Sequence, residues 1–133
     1  MENLWPKFTI VNLLPYLDIL KEQGKFLNDI TLYRLTTDIE RYDNSKELNQ
    51  SEIQYNYYIK NNSFIGCDGG CDIKVNIMRV NYDLITSKLK LTDLIENKQY
   101  SDIPDLDTFY KILSEIFQKK QVLIGNLLSL WGK

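Results

Sequence analysis

Apolar positions recur along this chain at two different periods, and the change from one to the other marks its elements. After Pro15, the residues Leu17, Leu20, Gly24 and Leu27 follow at spacings of three and four. That is the period of a helix with one buried face, and proline is at home in a first helical turn, so a helix is predicted over residues 15–27. The period then drops to two. Residues 31–40 are rich in β-branched and aromatic side chains, with Tyr33, Leu35 and Ile39 on one side and Arg34, Thr36, Asp38 and Glu40 on the other, which predicts a half-buried strand. Residues 42–51 are polar, contain Asp43-Asn44-Ser45 and read as a loop. The cleanest alternation comes next: Ile53, Tyr55, Tyr57 and Ile59 face the core, and Gln54, Asn56, Tyr58 and Lys60 face away. A third strand over residues 71–82 begins with Ile73, Val75 and Ile77 inward and then shifts phase to Met78, Val80 and Tyr82. One inserted residue has this effect, so a β-bulge is predicted at Ile77-Met78, with Arg79 and Asn81 outward. Ile85, Leu89 and Leu91 suggest a fourth strand.

The helical period returns after a polar stretch containing Asn97-Lys98. Ser101, Asp102 and Asp105 are N-cap candidates around Pro104, and Leu106, Phe109, Leu113, Ile116 and Phe117 follow at helical spacing, predicting a helix over 105–118. Residues 122–131 are apolar over more than half a helical circumference and predict a last helix wedged between the sheet and its neighbour. The whole is an α+β fold: an antiparallel meander of three to four strands, with one N-terminal helix and two C-terminal helices on one face. At 133 residues the chain is expected to be a single domain, able to bury about two thirds of the surface that its unfolded form exposes.

Composition narrows the chemistry. Histidine is entirely absent, which excludes Ser-His-Asp and Cys-His triads and any zinc site built from His and Cys within one chain. A formal net charge of −2 offers no basic field for phosphate, so duplex nucleic acid is not an expected partner. The N-terminus lacks the pattern of a secretory signal, and no apolar run approaches the roughly 18 residues that span a bilayer; a cytoplasmic location and no membrane partner are expected. Alanine is missing too, so close backbone approaches fall to Gly and Ser.

The two cysteines, Cys67 and Cys71, flank Asp68-Gly69-Gly70. The simplest reading is a hairpin whose glycines supply positive φ, with both thiols at its base; a redox switch or half of an intermolecular metal site are the alternatives. The same glycine-rich stretch lacks the Lys-Ser/Thr of a phosphate loop and leads into a strand. Asp102, Asp105 and Asp107 gather at a helix start, where the helix dipole alone accounts for them. Trp5 and Trp131 read as anchors that pin the two chain ends to the body.

Leu4-Trp5-Pro6, then Pro15 with Ile19-Leu20-Lys21-Glu22-Gln23, the Tyr-rich strand from Tyr55 to Ile59, and the closing Phe109, Ile116-Phe117 and Leu127-Leu128 resemble a set of small bacterial proteins that open with Leu-Trp-Pro and an Ile-Leu-x-Glu-Gln helix. The resemblance implies a free-standing bacterial or phage-borne domain and carries over no activity.

What remains is a surface. Tyr58 shares the predicted outward face with Arg34, Asn56, Lys60 and Arg79, and with Lys74 and Asn76 beside them, a mixture of aromatic, cationic and amide groups enriched at recognition sites; an ordinary solvated face is the alternative. The leading expectation is a non-enzymatic protein-binding accessory domain of the immunity, inhibitor or phage–host-conflict type, with no cofactor and no metal. The alternative is a small-ligand, nucleotide-like binder using Tyr58 with Arg34 or Arg79 across the cleft of a homodimer.

Overall fold

The computed structural model describes residues 2–7, 14–42, 51–61 and 73–130. Within them α1 (Leu14–Ile30) is followed by five strands, β1 (Leu35–Tyr42), β2 (Glu52–Asn61), β3 (Ile73–Asp83), β4 (Leu89–Asp93) and β5 (Lys98–Tyr100), and then by α2 (Leu106–Gln118) and α3 (Gln121–Ser129). The strands form one antiparallel sheet in chain order. The fold is thus α+β with the expected helices at both ends and a meander one strand longer than expected. β5 was not foreseen because it is three residues long and carries Lys98 and Gln99, which show no alternation.

The helix α1 runs three residues beyond its predicted end, and residues 31–34 are a turn, not the start of a strand. The Thr31 hydroxyl donates to the Leu27 carbonyl (2.8 Å) and accepts the Leu35 N–H (3.2 Å), while the Asn28 amide donates to the Leu35 carbonyl (3.0 Å). Between these bonds Leu32 and Tyr33 take left-handed backbone, with φ of 53° and 65°, which is unfavourable for side chains of this size. Tyr33, expected to face the core, is 74% exposed. β-Propensity at 31–34 was outweighed by hydrogen bonds that local pattern does not display.

Strand β3 bears the predicted irregularity. Its register with β2 passes from Tyr57 opposite Met78 to Tyr58 opposite Asn76, leaving Ile77 as the extra residue, and both Ile77 and Met78 are buried. The Ile77 carbonyl accepts the Leu94 N–H at 3.0 Å. Ile85 belongs to the following turn, which the Asp83 carboxylate closes by accepting the Ile85 and Thr86 N–H groups (2.8 and 3.2 Å); the fourth strand begins only at Leu89.

All three helices pack on one face of the sheet. The Tyr57 hydroxyl donates to the Leu20 carbonyl of α1 (2.9 Å), and burial raises its pKa despite a hydrogen bond with Thr37. Asn61, fully buried at the end of β2, donates to the Leu127 carbonyl of α3 (2.8 Å). Tyr16 meets Phe109 edge to face, joining α1 to α2, and Phe117 lies against Tyr57. Gly24 permits the closest approach: a Cβ there would lie 1.8 Å from the Thr37 hydroxyl oxygen. With no alanine in the chain, glycine lets α1 settle on β1.

Helix α2 starts where the pattern placed it, because Asp105 accepts the Thr108 N–H at 2.8 Å as N-cap. Phe109, Leu113 and Ile116 are its buried stripe. In α3 only Leu127 is fully buried and Val122 is 76% exposed, so this helix lies more on the rim than wedged inside. Trp5 is 81% exposed and its segment makes a local turn through Asn3, so it does not anchor the N-terminal end. Of the loop predicted at 42–51, Tyr42 ends β1 and Ser51 lies in a turn, while 43–50, the Cys67/Cys71 hairpin and Trp131 lie outside the described residues.

Among the described residues one ion pair is buried. Lys120, between α2 and α3, places its ammonium 2.8 Å from the Asp93 carboxylate, each side chain 1% exposed. The ammonium also donates to the Ile116 carbonyl (3.1 Å), and the second Asp93 oxygen accepts the Ile95 and Glu96 N–H groups (3.0 and 3.1 Å).

Removing one partner of a buried pair strands the other, so Lys120→Met should cost about 3–5 kcal/mol. Asp93→Asn with Lys120→Met deletes both charges and keeps an acceptor for the hairpin, and should cost less than the two single changes together; additive costs in denaturant melts would show that the pair is uncoupled. Acid offers a second check. Backbone N–H groups hold the carboxyls of Asp83 and Asp105 below the usual range, and the Lys98 ammonium does the same for Glu115. A carboxyl depressed on folding stabilises the native state above its unfolded pKa, about 4, and that contribution is lost as pH falls through the lower folded value. The melting temperature should therefore hold steady from neutral pH to about 5 and decline below about 4, less steeply in Asp105→Asn.

Candidate functional site

The face of the sheet away from the helices is built rung by rung from the register. Side chains on one face of an antiparallel pair sit opposite one another, so Thr36, Lys60 and Lys74 form one rung; Asp38, Tyr58 and Asn76 the next; and Glu40, Asn56, Arg79 and Thr92 a third. Gln54, Asn81 and Lys90 follow. Tyr58, Asn56, Lys60 and Arg79, all predicted for this face, are brought together on it. Arg34 is not: it precedes β1 in the turn that ends α1, exposed, so it shares no rung with Tyr58.

Two clusters occupy the face. In the first, the Lys74 ammonium stands 4.3 Å from the centre of the Tyr58 ring and is bound by Glu40 and, at 3.5 Å, by Asp38. Lys60 lies 3.9 Å from the same Asp38 oxygen. The hydrogen bond from Lys74 to Glu40 is the main reason its pKa is raised above the ordinary lysine value, with the charges of Glu40 and Asp38 adding to it. An amine shifted upward is protonated at neutral pH and is no general base. Both carboxylates of this cluster are engaged by ammonium groups.

The second cluster is an amide ladder. Asn81 donates to the Gln54 carbonyl oxygen (3.3 Å), Gln54 donates to Asn56 (3.1 Å), and Asn56 donates to the Tyr58 hydroxyl (3.4 Å). Gln54, Asn56 and Asn81 are only 6–8% exposed. They were expected to face solvent, and they do lie on that side, but mutual contact closes them off. Sequence parity gives the side of a strand and not the crowding upon it. Next to the ladder Arg79 is exposed and makes no side-chain hydrogen bond or ion pair among the described residues.

Among the described residues no group of three or more Cys, Asp or Glu side chains is arranged to hold a metal ion, and no helix is long and apolar enough to cross a membrane. Comparison with protein-family models, with curated proteins and with solved structures finds no match to this chain.

The two clusters should respond differently to substitution. Arg79→Glu removes no side-chain hydrogen bond or ion pair among the described residues and should change stability by no more than about 0.5 kcal/mol. Asn81→Leu leaves the buried Gln54 oxygen without its donor and should cost about 1–3 kcal/mol. Thermal and urea unfolding of the two variants test the contrast; equal costs would mean that the ladder does not hold the face together.

Proposed function

We propose that the protein is a non-enzymatic binding domain that engages a protein partner through the polar face of its sheet, in the manner of a small accessory, immunity or inhibitor protein. The observation that carries this reading is that Tyr58 and Arg79 stand on a face where Asp38, Glu40, Lys60 and Lys74 pair with one another and Gln54, Asn56 and Asn81 form a ladder. Tyr and Arg are the residue types over-represented among binding hot spots. The Tyr58 ring has the Lys74 ammonium 4.3 Å from its centre on one face and the Asn56 amide on its hydroxyl, which reduces the side-chain freedom left to lose on association. Arg79, with its donors uncommitted among the described residues, supplies what a partner's carboxylates or carbonyls would meet. The charges also divide by strand, acidic on β1 (Asp38, Glu40) and basic on β3 and β4 (Lys74, Arg79, Lys90), which orients a partner of complementary pattern.

Quantitative affinity capture from the source cells tests this. The parent protein should retain a partner that is lost from Tyr58→Ala/Arg79→Glu and kept by Val122→Glu, a change on the helical side. A truncated hot spot typically costs at least about 2 kcal/mol, or thirtyfold in affinity. Retention of the same partner by the face variant at undiminished affinity would reject the reading.

A further inference from the structure

We propose that the cavity between α1, the sheet and the α2–α3 corner is a binding site for a small neutral aromatic molecule. It lies on the side of the sheet opposite Tyr58 and is independent of the role given to that face. The cavity measures about 220 Å³. Its floor is the core face of the sheet, where Tyr57, Ile59 and Ile77 are at most 3% exposed, so it reaches into the interior. Phe26 forms one lip on α1, half exposed, and Phe117 and Ile124 form the opposite wall. Gly24 brings α1 onto β1 and Asn61 ties α3 to the end of β2, and the cavity lies between these two attachments.

The lining selects the ligand. Lys120 is its one charged residue, and that ammonium is already bound by Asp93 and the Ile116 carbonyl. A charged guest would be desolvated with no partner, so the guest is neutral. Three rings, Phe26, Tyr57 and Phe117, line the space, which favours an aromatic guest through edge and offset contacts. An apolar cavity of about 150 Å³ accepts benzene, so the larger volume here suits a bicyclic ring. Gln23 and Gln118 also line it, and their side-chain amides make no hydrogen bond among the described residues, leaving them able to meet a single N–H or hydroxyl on the guest.

Indole is the probe. Titrated into isotope-labelled protein, it should shift the resonances of Tyr57, Ile77, Phe117 and Ile124 in a saturable way at submillimolar concentration and raise the melting temperature. Indole-3-acetate, the same ring with a carboxylate, should bind at least about tenfold more weakly. Ile124→Trp fills the space from the half-buried wall and should abolish the shifts while the circular dichroism of the parent is kept. Phe26→Ala, at a half-exposed lip that the core does not need, gives a second arm and should weaken indole by about tenfold. No saturable shift at millimolar indole, shifts confined to the Tyr58 face, equal binding of the carboxylate, or undiminished binding by the folded variants would overturn the assignment.

Discussion

The Asp93 carboxylate and the Lys120 ammonium meet in the interior, and most of the architecture converges on that contact. Moving two charges out of water costs several kcal/mol per ion and is offset only when the remaining donors and acceptors are filled as well. Here the filling is drawn from two places: the N–H groups of Ile95 and Glu96 in the β4–β5 hairpin, and the Ile116 carbonyl at the end of α2, one turn before Lys120 in the corner from which α3 departs. Neither of these alone satisfies the pair. The end of β4, the hairpin and the helix corner must arrive together, which gives the pair a role in specifying one arrangement of the helices even where an apolar replacement would match it in stability.

The same division of labour runs across the sheet. On the helical side, beside the Asp93–Lys120 pair, buried polar groups reach from the sheet to the helices: the Tyr57 hydroxyl to the Leu20 carbonyl and the Asn61 amide to the Leu127 carbonyl, each tying one helix to one point of β2. On the other side, they are used collectively, as a ladder and a charge cluster. β2 therefore carries both the bolts of the core and the middle of the candidate binding surface, in alternate residues. A change of one face is transmitted to the other chiefly through backbone position, because Tyr57 and Tyr58 are neighbours with opposite duties.

Much of this was legible in the residues. The alternation at Ile53 to Lys60 assigned both faces of β2, the phase shift at Ile77-Met78 announced the bulge, and the capping residues before Leu106 placed the start of α2. Arg34 was misplaced because Thr31 to Arg34 look like strand residues, and the bonds that make them a turn come from Asn28 and the Thr31 hydroxyl. The buried pair, too, leaves a signal in the sequence. Asp93 continues the inward parity of Leu89 and Leu91, and Lys120 continues the stripe of Phe109, Leu113 and Ile116; charged residues in apolar phase on two elements point to each other. β5 left no such trace, since a three-residue edge strand takes its structure from the partner it pairs with.

The bulge has a consequence for the surface as well as for the core. An extra residue in one strand bends it and sharpens the local twist, and here it falls between the Tyr57 and Tyr58 rungs. Asp38, Lys60 and Lys74 lie on one side of that line and Gln54, Asn56, Asn81 and Arg79 on the other, with Glu40, opposite Asn56, reaching across it to Lys74. What a flat diagram of the register shows as one continuous panel is thus two facets meeting at a crease, with the Asn56-to-Tyr58 bond spanning it. The relative placement of the two groups of side chains on the outer face is therefore set by a single inserted residue, Ile77, on the buried side of β3.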